Sequence, residues 1–447
     1  MDDELSWESL STDHFASDMI NFRTVPERND GEEQFMVSLD SILPDDLLEK
    51  ILSFLPVASI VRATSVCRRW RDIVRSRRFL WANKSPQKPW YFMFTCNDAA
   101  AGYAYDPIFR KWYNVGLPCI EKSNWFIASS CGLVCFMDYD SRSRIFVCNP
   151  ITRDSVKLLE PPGAKFPDYS TLTISVDRSS YDYTVAVAKS KQIPGDFLQW
   201  DFSIHMYDSK SRNWITSIEE VFMGWRGGDD SVICSGILYC LVHSTGILGS
   251  SNFRHSLIIY DLAARSSRTS LMHDSIPAPC SLTCGRLMNL KERLVMVGGI
   301  AKNERPDIIR GIGIWELYDN KEWREVARMP HKFFQGFGEF DDVFASSGTD
   351  GLIYIQSYGA TALLVFDMSQ KQWRWSVKCP VTKRFPLQLF TGHARSVSLG
   401  LGYLGPQTKF GSGSRVWPAV FPFDPARPFW VALMFKLDVK FPDWIGL

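Results

Sequence analysis

Residues 43–81 read LPDDLLEKILSFLPVASIVRATSVCRRWRDIVRSRRFLW, and this stretch decides the fold because it predicts three short helices. The first helix is expected to begin near Pro44, since proline is favoured in the first helical turn and the carboxylates of Asp45 and Asp46 follow it. Five apolar residues then recur at helical spacing and form one wide stripe: Leu47, Leu48, Ile51, Leu52 and Leu55.

Pro56 is expected to end the first helix and to start the second, because proline has no amide hydrogen to donate inside a helix. The second helix would turn Val57, Ile60 and Val61 inward. Ser65 is expected to cap a third helix, whose apolar residues are Val66, Cys67, Trp70, Ile73 and Val74. A module of roughly 40 residues rarely suffices as a lone hydrophobic core, so much of this surface should be covered by the helices of a partner.

This segment resembles the F-box, the motif through which substrate receptors of SCF-type ubiquitin ligases dock onto the adaptor Skp1. The matching features are Leu43-Pro44, the Leu47/Ile51/Leu55 ladder, Pro56, the Val66-Cys67-x-x-Trp70 run, Phe79 and Trp81. Helical periodicity alone would also fit an ordinary three-helix core fragment. The resemblance implies a set of Skp1-binding residues: Leu43, Pro44, Leu47, Ile51, Leu52, Leu55, Pro56, Val66, Cys67 and Trp70.

The composition favours a soluble protein of the nucleus or cytoplasm. The formal net charge of +1 points to neither nucleic acid nor membrane, and the acidic start MDDELSW is unlike a signal peptide. No apolar run approaches the roughly 18 residues of a membrane span. The 11 cysteines have no framework spacing, which suits reduced thiols. A chain of 447 residues can hold two or three domains.

From about residue 90 onward, short apolar runs are broken by Gly, Pro, Asp and Asn, which is typical of many short strands. One unit recurs, consisting of an apolar run, an acid or asparagine, a polar turn and often a tryptophan. Trp112, Trp214, Trp323 and Trp373 supply the tryptophan in four units, and it is expected to pack between neighbouring blades. The anchors are Asp106, Asn149, Asp208, Asp261, Glu316 and Asp367.

A period of about 50 residues with about four strands predicts a β-propeller. Six blades match the number of units, seven blades are the second choice, and a pair of β-sandwiches is the other architecture that fits. The strand Trp90–Thr95 is expected to close the ring against the last blade, because an open ring would expose two edges.

The repeats resemble the degenerate kelch repeat of plant F-box/kelch proteins. Val297-Gly298-Gly299 matches the double glycine of a full kelch repeat, whereas Gly132, Gly236 and Gly351 stand singly before their strands. The predicted domains are a disordered acidic segment (1–36), an F-box (37–84), a propeller (90–391) and an atypical C-terminal tail rich in Gly and Pro (392–447).

Metal, catalytic and nucleic-acid sites are weaker interpretations of this sequence. The pairs Cys131/Cys135 and Cys280/Cys284 lack the tighter spacing and nearby histidines of zinc sites, so packing is favoured. The arginine run within residues 68–78 fits a solvated helix face or a contact with an acidic partner better than a nucleic-acid site. No local nucleophile motif appears, so we expect no cofactor and no catalytic residue.

The F-box resemblance implies a substrate receptor, with Skp1 bringing cullin and RING subunits and the propeller holding an unknown target protein. The alternative is a non-ligase interaction protein or a propeller that binds a small ligand or glycan. Target binding is expected in long loops at one end of the propeller, namely Pro161–Tyr169, Ala188–Trp200, Met223–Asp230, Gly246–His255 and Ile300–Arg310. The residues chosen there as anchors, aromatic or cationic, are Trp200, Trp225, Arg226, Phe253 and Arg254.

Overall fold

A computed structural model describes residues 43–392 apart from internal gaps. The gaps are 56, 77–78, 80–89, 95–101, 116–124, 139–140, 150–154, 178–179, 181, 247–253, 264–269, 303–304, 320, 336–343, 358–361 and 381–387. The predictions for residues 1–36, for the tail beyond Gly392, and for Pro56, Trp81 and Phe253 lie outside the described residues. Contacts divide the chain into residues 1–48 and 49–447, with the boundary inside the first helix.

Three short helices follow Leu43, as the sequence predicts: α1 (Asp45–Ser53), α2 (Val57–Ala63) and α3 (Arg68–Arg75). The carbonyl of Pro44 accepts the amide of Leu48 at 3.1 Å, which starts α1 where proline was expected to start it. The module buries part of its apolar stripe. Its buried apolar residues are Leu48, Leu52, Ile60, Ala63, Ile73, Val74 and Phe79.

The start of α3 differs from the prediction. Cys67, and not Ser65, is the N-cap residue, since its extended backbone precedes the helix and its Sγ accepts the amide of Trp70 at 3.4 Å. The Oγ of Ser65 instead donates to the carbonyl of Arg62 at 2.9 Å, at the end of α2. The Ser65 hydroxyl therefore bonds to the preceding helix, and α3 begins two residues later than expected.

The rest of the described chain forms six four-stranded antiparallel sheets, so the predicted six-bladed propeller is confirmed and the seven-bladed choice is not. Blade 1 contains β1 (Trp90–Phe94), β2 (Gly102–Asp106) and β3 (Lys111–Val115). Blade 2 contains β4 (Trp125–Ser130), β5 (Leu133–Asp138), β6 (Ile145–Cys148) and β7 (Ser155–Lys157). Blade 3 contains β8 (Tyr169–Val176), β9 (Tyr183–Gln192), β10 (Gln199–Asp208) and β11 (Asn213–Met223).

Blades 4 to 6 follow in the same order, with a short helix, α4 (His331–Gln335), between blades 5 and 6. Blade 4 contains β12 (Trp225–Cys234), β13 (Ile237–Ser244), β14 (His255–Asp261) and β15 (Ile276–Pro277). Blade 5 contains β16 (Leu282–Asn289), β17 (Leu294–Lys302), β18 (Arg305–Leu317) and β19 (Trp323–Arg328). Blade 6 contains β20 (Phe344–Thr349), β21 (Leu352–Ser357), β22 (Leu364–Asp367) and β23 (Gln372–Trp375).

Ring closure joins the two ends of the propeller within blade 1. The last strand, β24 (Gln388–Gly392), pairs antiparallel with β1 and becomes the inner strand of that blade. The inner strands β24, β4, β8, β12, β16 and β20 then contact one another in a closed circle. The predicted closure of β1 against the last blade is therefore wrong: β1 takes part in closure, but it pairs with the C-terminal strand β24 within blade 1.

The recurring acids end the third strands of the blades and hold the turns that follow. The Oδ1 of Asp106 accepts the amides of Ile108 and Phe109 at 2.8 and 3.1 Å. The same kind of turn follows Asp208, Asp261 and Asp367. Each acid therefore replaces backbone partners that the turn cannot supply, which is why an acid or asparagine recurs at this position.

The outer-strand tryptophans tie neighbouring blades together, as predicted. The Nε1 of Trp214 in blade 3 donates to the carbonyl of Leu159, after blade 2, at 2.8 Å. Trp323 of blade 5 donates to Pro277 of blade 4 at 3.1 Å, and Trp112 of blade 1 donates to Val377, after blade 6, at 2.9 Å. Apolar clusters fill the spaces between the blades, so each blade depends on its neighbours for its core.

Candidate functional site

Among the described side chains of the helical module, four large apolar ones are exposed, which we call the docking residues: Leu47, Ile51, Phe54 and Val66. Their exposed fractions run from 49% to 73%. Leu47 and Ile51 lie one turn apart on α1, while Leu48 and Leu52 on the same helix are buried. The stripe predicted from the sequence is thus divided into a buried set and an exposed set, and only the exposed set is available to a partner.

The other predicted Skp1-binding residues have different surroundings. Pro44 is exposed, while Leu43, Leu55, Cys67 and Trp70 are partly buried. Leu52 is fully buried, so the structure places it in the interior rather than on a binding surface. Phe54, the most exposed of the docking residues, was not predicted. Its position three residues after Ile51, on the same helical face, is the signal that could have indicated it.

The inner strand of every blade begins at one end of the propeller, which we call the upper end. The third strands also begin there, because the sheets are antiparallel. Tyr169, Trp200 and Arg226 stand at or next to the first residue of β8, β10 and β12 and therefore meet at this end. The guanidinium carbon of Arg226 lies 3.7 Å from the centre of the Tyr169 ring, and the centres of the Tyr169 and Trp200 rings are 5.7 Å apart.

Two histidines adjoin this group. His243 and His255 are paired residues on β13 and β14, and their ring centres are 4.3 Å apart. Burial, with smaller contributions from the charges of Arg226 and Arg254, lowers the pKa of His255 to about 4. Burial also lowers the pKa of His243, with added contributions from His255, Arg226 and Arg286. Both rings are therefore neutral near pH 7, and the positive charges of nearby arginines oppose their protonation.

The predicted target-binding residues divide between core and surface. Trp200 is buried, and Trp225 packs against the cluster between blades 3 and 4. Arg226 is partly buried beneath its contact with Tyr169, and Arg254 is exposed. The structure therefore brings Trp200 and Arg226 together through Tyr169, a residue that was not chosen from the sequence.

Three of the five predicted loops are mostly strand. The range Ala188–Trp200 is a hairpin in which only 193–198 lie between β9 and β10. Only Gly224 separates β11 from β12, so most of Met223–Asp230 is strand with a bulge after Gly227. In Ile300–Arg310, β17 continues to Lys302 and β18 begins at Arg305. The charged residues and glycines of these ranges suggested loops, but a strand accommodates charged residues and glycines near its ends and at bulges.

The segment 158–168 before β8 is a loop, which agrees with the loop predicted for Pro161–Tyr169. Buried Lys189 holds it, since its Nζ donates to the carbonyls of Pro161, Pro162 and Ala164 at 3.2, 2.6 and 3.3 Å. Two aromatic side chains at this end are strongly exposed: Phe166 in this segment at 71% and Phe197 in the β9–β10 turn at 73%. Both lie inside ranges predicted to bind a target, although neither was named as an anchor.

Replacing Gly163 with alanine is expected to destabilise the protein more than replacing Gly195. Both glycines have positive φ angles, +85° and +88°, so alanine costs about 1–2 kcal/mol of backbone strain at each. At Gly163 a Cβ would also lie 2.3 Å from Nε2 of buried His205, while at Gly195 no atom lies within 4 Å. Denaturant unfolding should show an extra loss of about 1–3 kcal/mol for Gly163→Ala. Equal losses would contradict the close packing of this loop on His205.

Metal and membrane features are not found in the described part of the chain. No group of three or more His, Cys, Asp or Glu side chains there could hold a metal ion. The predicted packing role of the cysteines fits Cys135, which is buried in the cluster between blades 2 and 3, with Cys131 packed against the same cluster. No helix within residues 43–392, gaps aside, is long and apolar enough to cross a membrane.

Family models and relatives agree with this arrangement. An F-box-like model matches residues 40–87, and a KIB1-4 beta-propeller model matches residues 94–346. The F-box/kelch-repeat protein At3g61590 of Arabidopsis thaliana is 57% identical over 407 residues, which cover 88% of this chain and 97% of that protein. This chain belongs to the plant F-box/kelch-repeat proteins.

More distant plant relatives also match about three quarters of this chain. F-box only protein 6 of Arabidopsis thaliana is 26% identical over 76% of this chain and 70% of its own length. The F-box/kelch-repeat protein At5g43190 of the same plant is 27% identical over 76% of this chain and 82% of its own. The ring of this F-box/kelch-repeat protein extends past the matched propeller region, because blade 6 and β24 continue to Gly392.

Proposed function

We propose that this protein is a substrate receptor of an SCF-type ubiquitin ligase. Its F-box-like module binds a Skp1-type adaptor, which brings cullin and RING subunits, and its propeller holds a target protein for ubiquitination. The exposure of Leu47, Ile51, Phe54 and Val66 in a module matched by the F-box-like model carries this proposal. Apolar side chains exposed together in a small helical module are typical of a surface that a partner covers.

The adaptor interaction is expected to depend on helix-to-helix packing. Leu47 and Ile51 present neighbouring side chains from α1, as an amphipathic helix does when it binds in a groove formed by other helices. Truncating a buried interface anchor often costs about 2 kcal/mol or more. A few such residues are therefore sufficient to determine whether the complex forms.

The ligase role requires no catalytic residue in this chain. Holding the lysine of a target near a ubiquitin thioester raises the effective concentration of the two groups, and that proximity accelerates transfer. Target binding is proposed for the upper end of the propeller, where Tyr169, Arg226, Phe166 and Phe197 lie. The receptor would act in the nucleus or the cytoplasm.

The proposal is tested by using a docking-defective variant as a substrate trap in plant cells. Proteins captured by the wild-type receptor should also be captured by Leu47→Ala/Ile51→Ala, because the propeller is unchanged. Their ubiquitination should rise with the wild-type receptor and not with the variant, as measured by ubiquitin-remnant mass spectrometry. Equal ubiquitination in the two cases would contradict the ligase role and favour a non-ligase interaction protein.

A further inference from the structure

Blades 4 and 5 carry a group of arginines that we call the cationic cluster: Arg226 and Arg254 at the upper end, and Arg286 farther along its inner strand. Arg226 lies on β12, Arg286 on the neighbouring inner strand β16, and Arg254 directly before β14. Arg226 is paired with His243, which is paired with His255, and Arg254 directly precedes His255. Arg286 is next to Leu287, whose amide donates to Asp230 of β12. The inner strand β12 contacts both β8 and β16, so the cluster, which lies in blades 4 and 5, adjoins blade 3.

None of the three arginines forms an ion pair with a carboxylate among the described residues. Arg226 donates to the carbonyl of Gly227 at 3.1 Å and stacks on Tyr169, which leaves most of its N–H groups without a protein acceptor. Other arginines of the propeller differ in this respect. Arg144, Arg293 and Arg328 pair with Asp138, Glu316 and Glu325 at 3.2, 3.3 and 2.7 Å.

The described carboxylate nearest in sequence to Arg226 is already used by the backbone. Asp230 accepts the amide of Ser231 at 3.0 Å and the amide of Leu287 at 2.5 Å, which joins β12 to β16. Its charge therefore stabilises the contact between blades 4 and 5. No ion pair within the described residues involves the three arginines, so their N–H groups can bind an anionic group of a partner.

Buried polar atoms beside the cluster also have no hydrogen-bond partner among the residues that the structure describes. His255 is 3% exposed, and neither of its ring nitrogens forms a hydrogen bond. The Nε1 of Trp200, whose ring adjoins Tyr169, is buried and has no acceptor. Buried polar atoms are nearly always satisfied by protein, water or ligand, so these atoms indicate a site with unused hydrogen-bonding capacity.

We propose that the cationic cluster, together with Tyr169 and Trp200, binds an acidic segment of the target protein. This inference rests on the proposed function and specifies its substrate class. Arginine stacked on an aromatic ring keeps its planar N–H fork oriented for an anionic group, carboxylate or phosphate. Charge complementarity thus favours a target segment rich in Asp and Glu or carrying phosphoserine, with the exposed Phe166 and Phe197 available to flanking apolar residues.

The test uses the full chain in complex with a Skp1-type adaptor and four pools of 12-residue peptides with identical randomised flanks. The three central positions are Glu, phosphoserine, Gln or Lys. The Glu or the phosphoserine pool should bind at least about tenfold tighter than the Gln pool in fluorescence anisotropy, and the difference should shrink as salt is raised. Comparison of the Glu and phosphoserine pools distinguishes carboxylate recognition from phosphate recognition.

Arginine variants then assign the preference to the cluster. Arg254→Gln and Arg286→Gln should each reduce binding of the acidic pool about tenfold, the loss expected for one charge-assisted hydrogen bond. Arg226→Lys, which keeps the charge but loses the stacked fork, should also weaken it. Arg328→Gln, which changes an arginine paired with Glu325 in blade 5, is the matched control and should bind as the wild type does. Arg254 is exposed, so its variant remains informative should Arg226→Lys fold poorly.

Three outcomes would overturn this inference. The Gln pool could bind as tightly as the acidic pools, or the acidic preference could survive in the arginine variants. A 12-residue oligouridylate could also bind more tightly than any peptide pool, which would indicate a nucleic-acid phosphate site instead. Adaptor binding by the same variants is measured in parallel, so loss of the adaptor interaction would count against the proposed function and not against the cluster.

Discussion

Replacing Leu47 and Ile51 together with alanine is expected to abolish co-purification of this protein with a Skp1-type adaptor. Both side chains are about half exposed on α1, so neither contributes much to the folded module by itself. In a complex each would be buried, and truncation of such an anchor costs about 2 kcal/mol, or roughly thirtyfold in affinity. The double variant should therefore bind at least roughly thirtyfold more weakly in calorimetry, with about a thousandfold as the upper bound, because losses at neighbouring anchors are not fully additive.

Two matched controls separate docking from folding. Ile215→Ala and Val221→Ala remove apolar side chains of similar exposure, 51% each, from the outer strand of blade 3 and should leave adaptor binding unchanged. Leu52→Ala opens a cavity in the module and should lower its stability by about 2–5 kcal/mol. The docking assignment is wrong if the Leu47/Ile51 double variant stays folded and binds the adaptor with wild-type affinity.

Ending the chain at residue 380 is expected to remove cooperative unfolding of the propeller, whereas ending it after Gly392 is not. The shorter chain lacks β24, which is the inner strand of blade 1 and touches both β20 and β4. Without it, β1 exposes an unpaired edge and the ring has a gap. Because each blade buries its faces against its neighbours, the loss should spread to blades 1, 2 and 6.

Calorimetry of the two truncated proteins provides the comparison. The chain ending after Gly392 keeps β24 paired with β1 and should melt in one transition, as the full chain does. The chain ending at residue 380 should show a broad transition at lower temperature and greater binding of a hydrophobic dye. Identical melting curves for the two truncations would mean that pairing of β24 with β1 does not hold the ring together.

The helical module was largely predictable because its information is local. Apolar spacing, the proline at the start of α1 and the cap residues all act within a few positions of one another. The division of the stripe into buried Leu48 and Leu52 and exposed Leu47 and Ile51 was not predictable from spacing, since all four lie on one broad face. The cap at Cys67 was missed because Ser65 is the stronger capping residue by type, yet its hydroxyl bonds to Arg62.

The blade count was predictable because an acid or asparagine recurs near the end of the third strand of every blade. In blades 1, 3, 4 and 6 this acid accepts amides of the following turn. The upper end was harder to predict, because its geometry depends on register between blades. Tyr169 and Arg226 are 57 positions apart and meet only because β8 and β12 lie side by side. Lys189 and Ser190 were also predicted to lie in a loop, because polar residues near the end of a strand resemble loop residues in sequence. Both are buried and hydrogen-bonded in β9.

The pairing of β24 with β1 has a consequence for synthesis on the ribosome. The F-box-like module emerges first and precedes the whole ring in the chain, whereas the propeller lacks its last inner strand until residue 392 has left the exit tunnel. A nascent chain could therefore present its adaptor-binding helices long before it can select a target. A messenger RNA with a stop codon in the region that encodes blade 6 would yield a chain with the helical module but without a closed ring. Such a product would occupy adaptors without delivering a target.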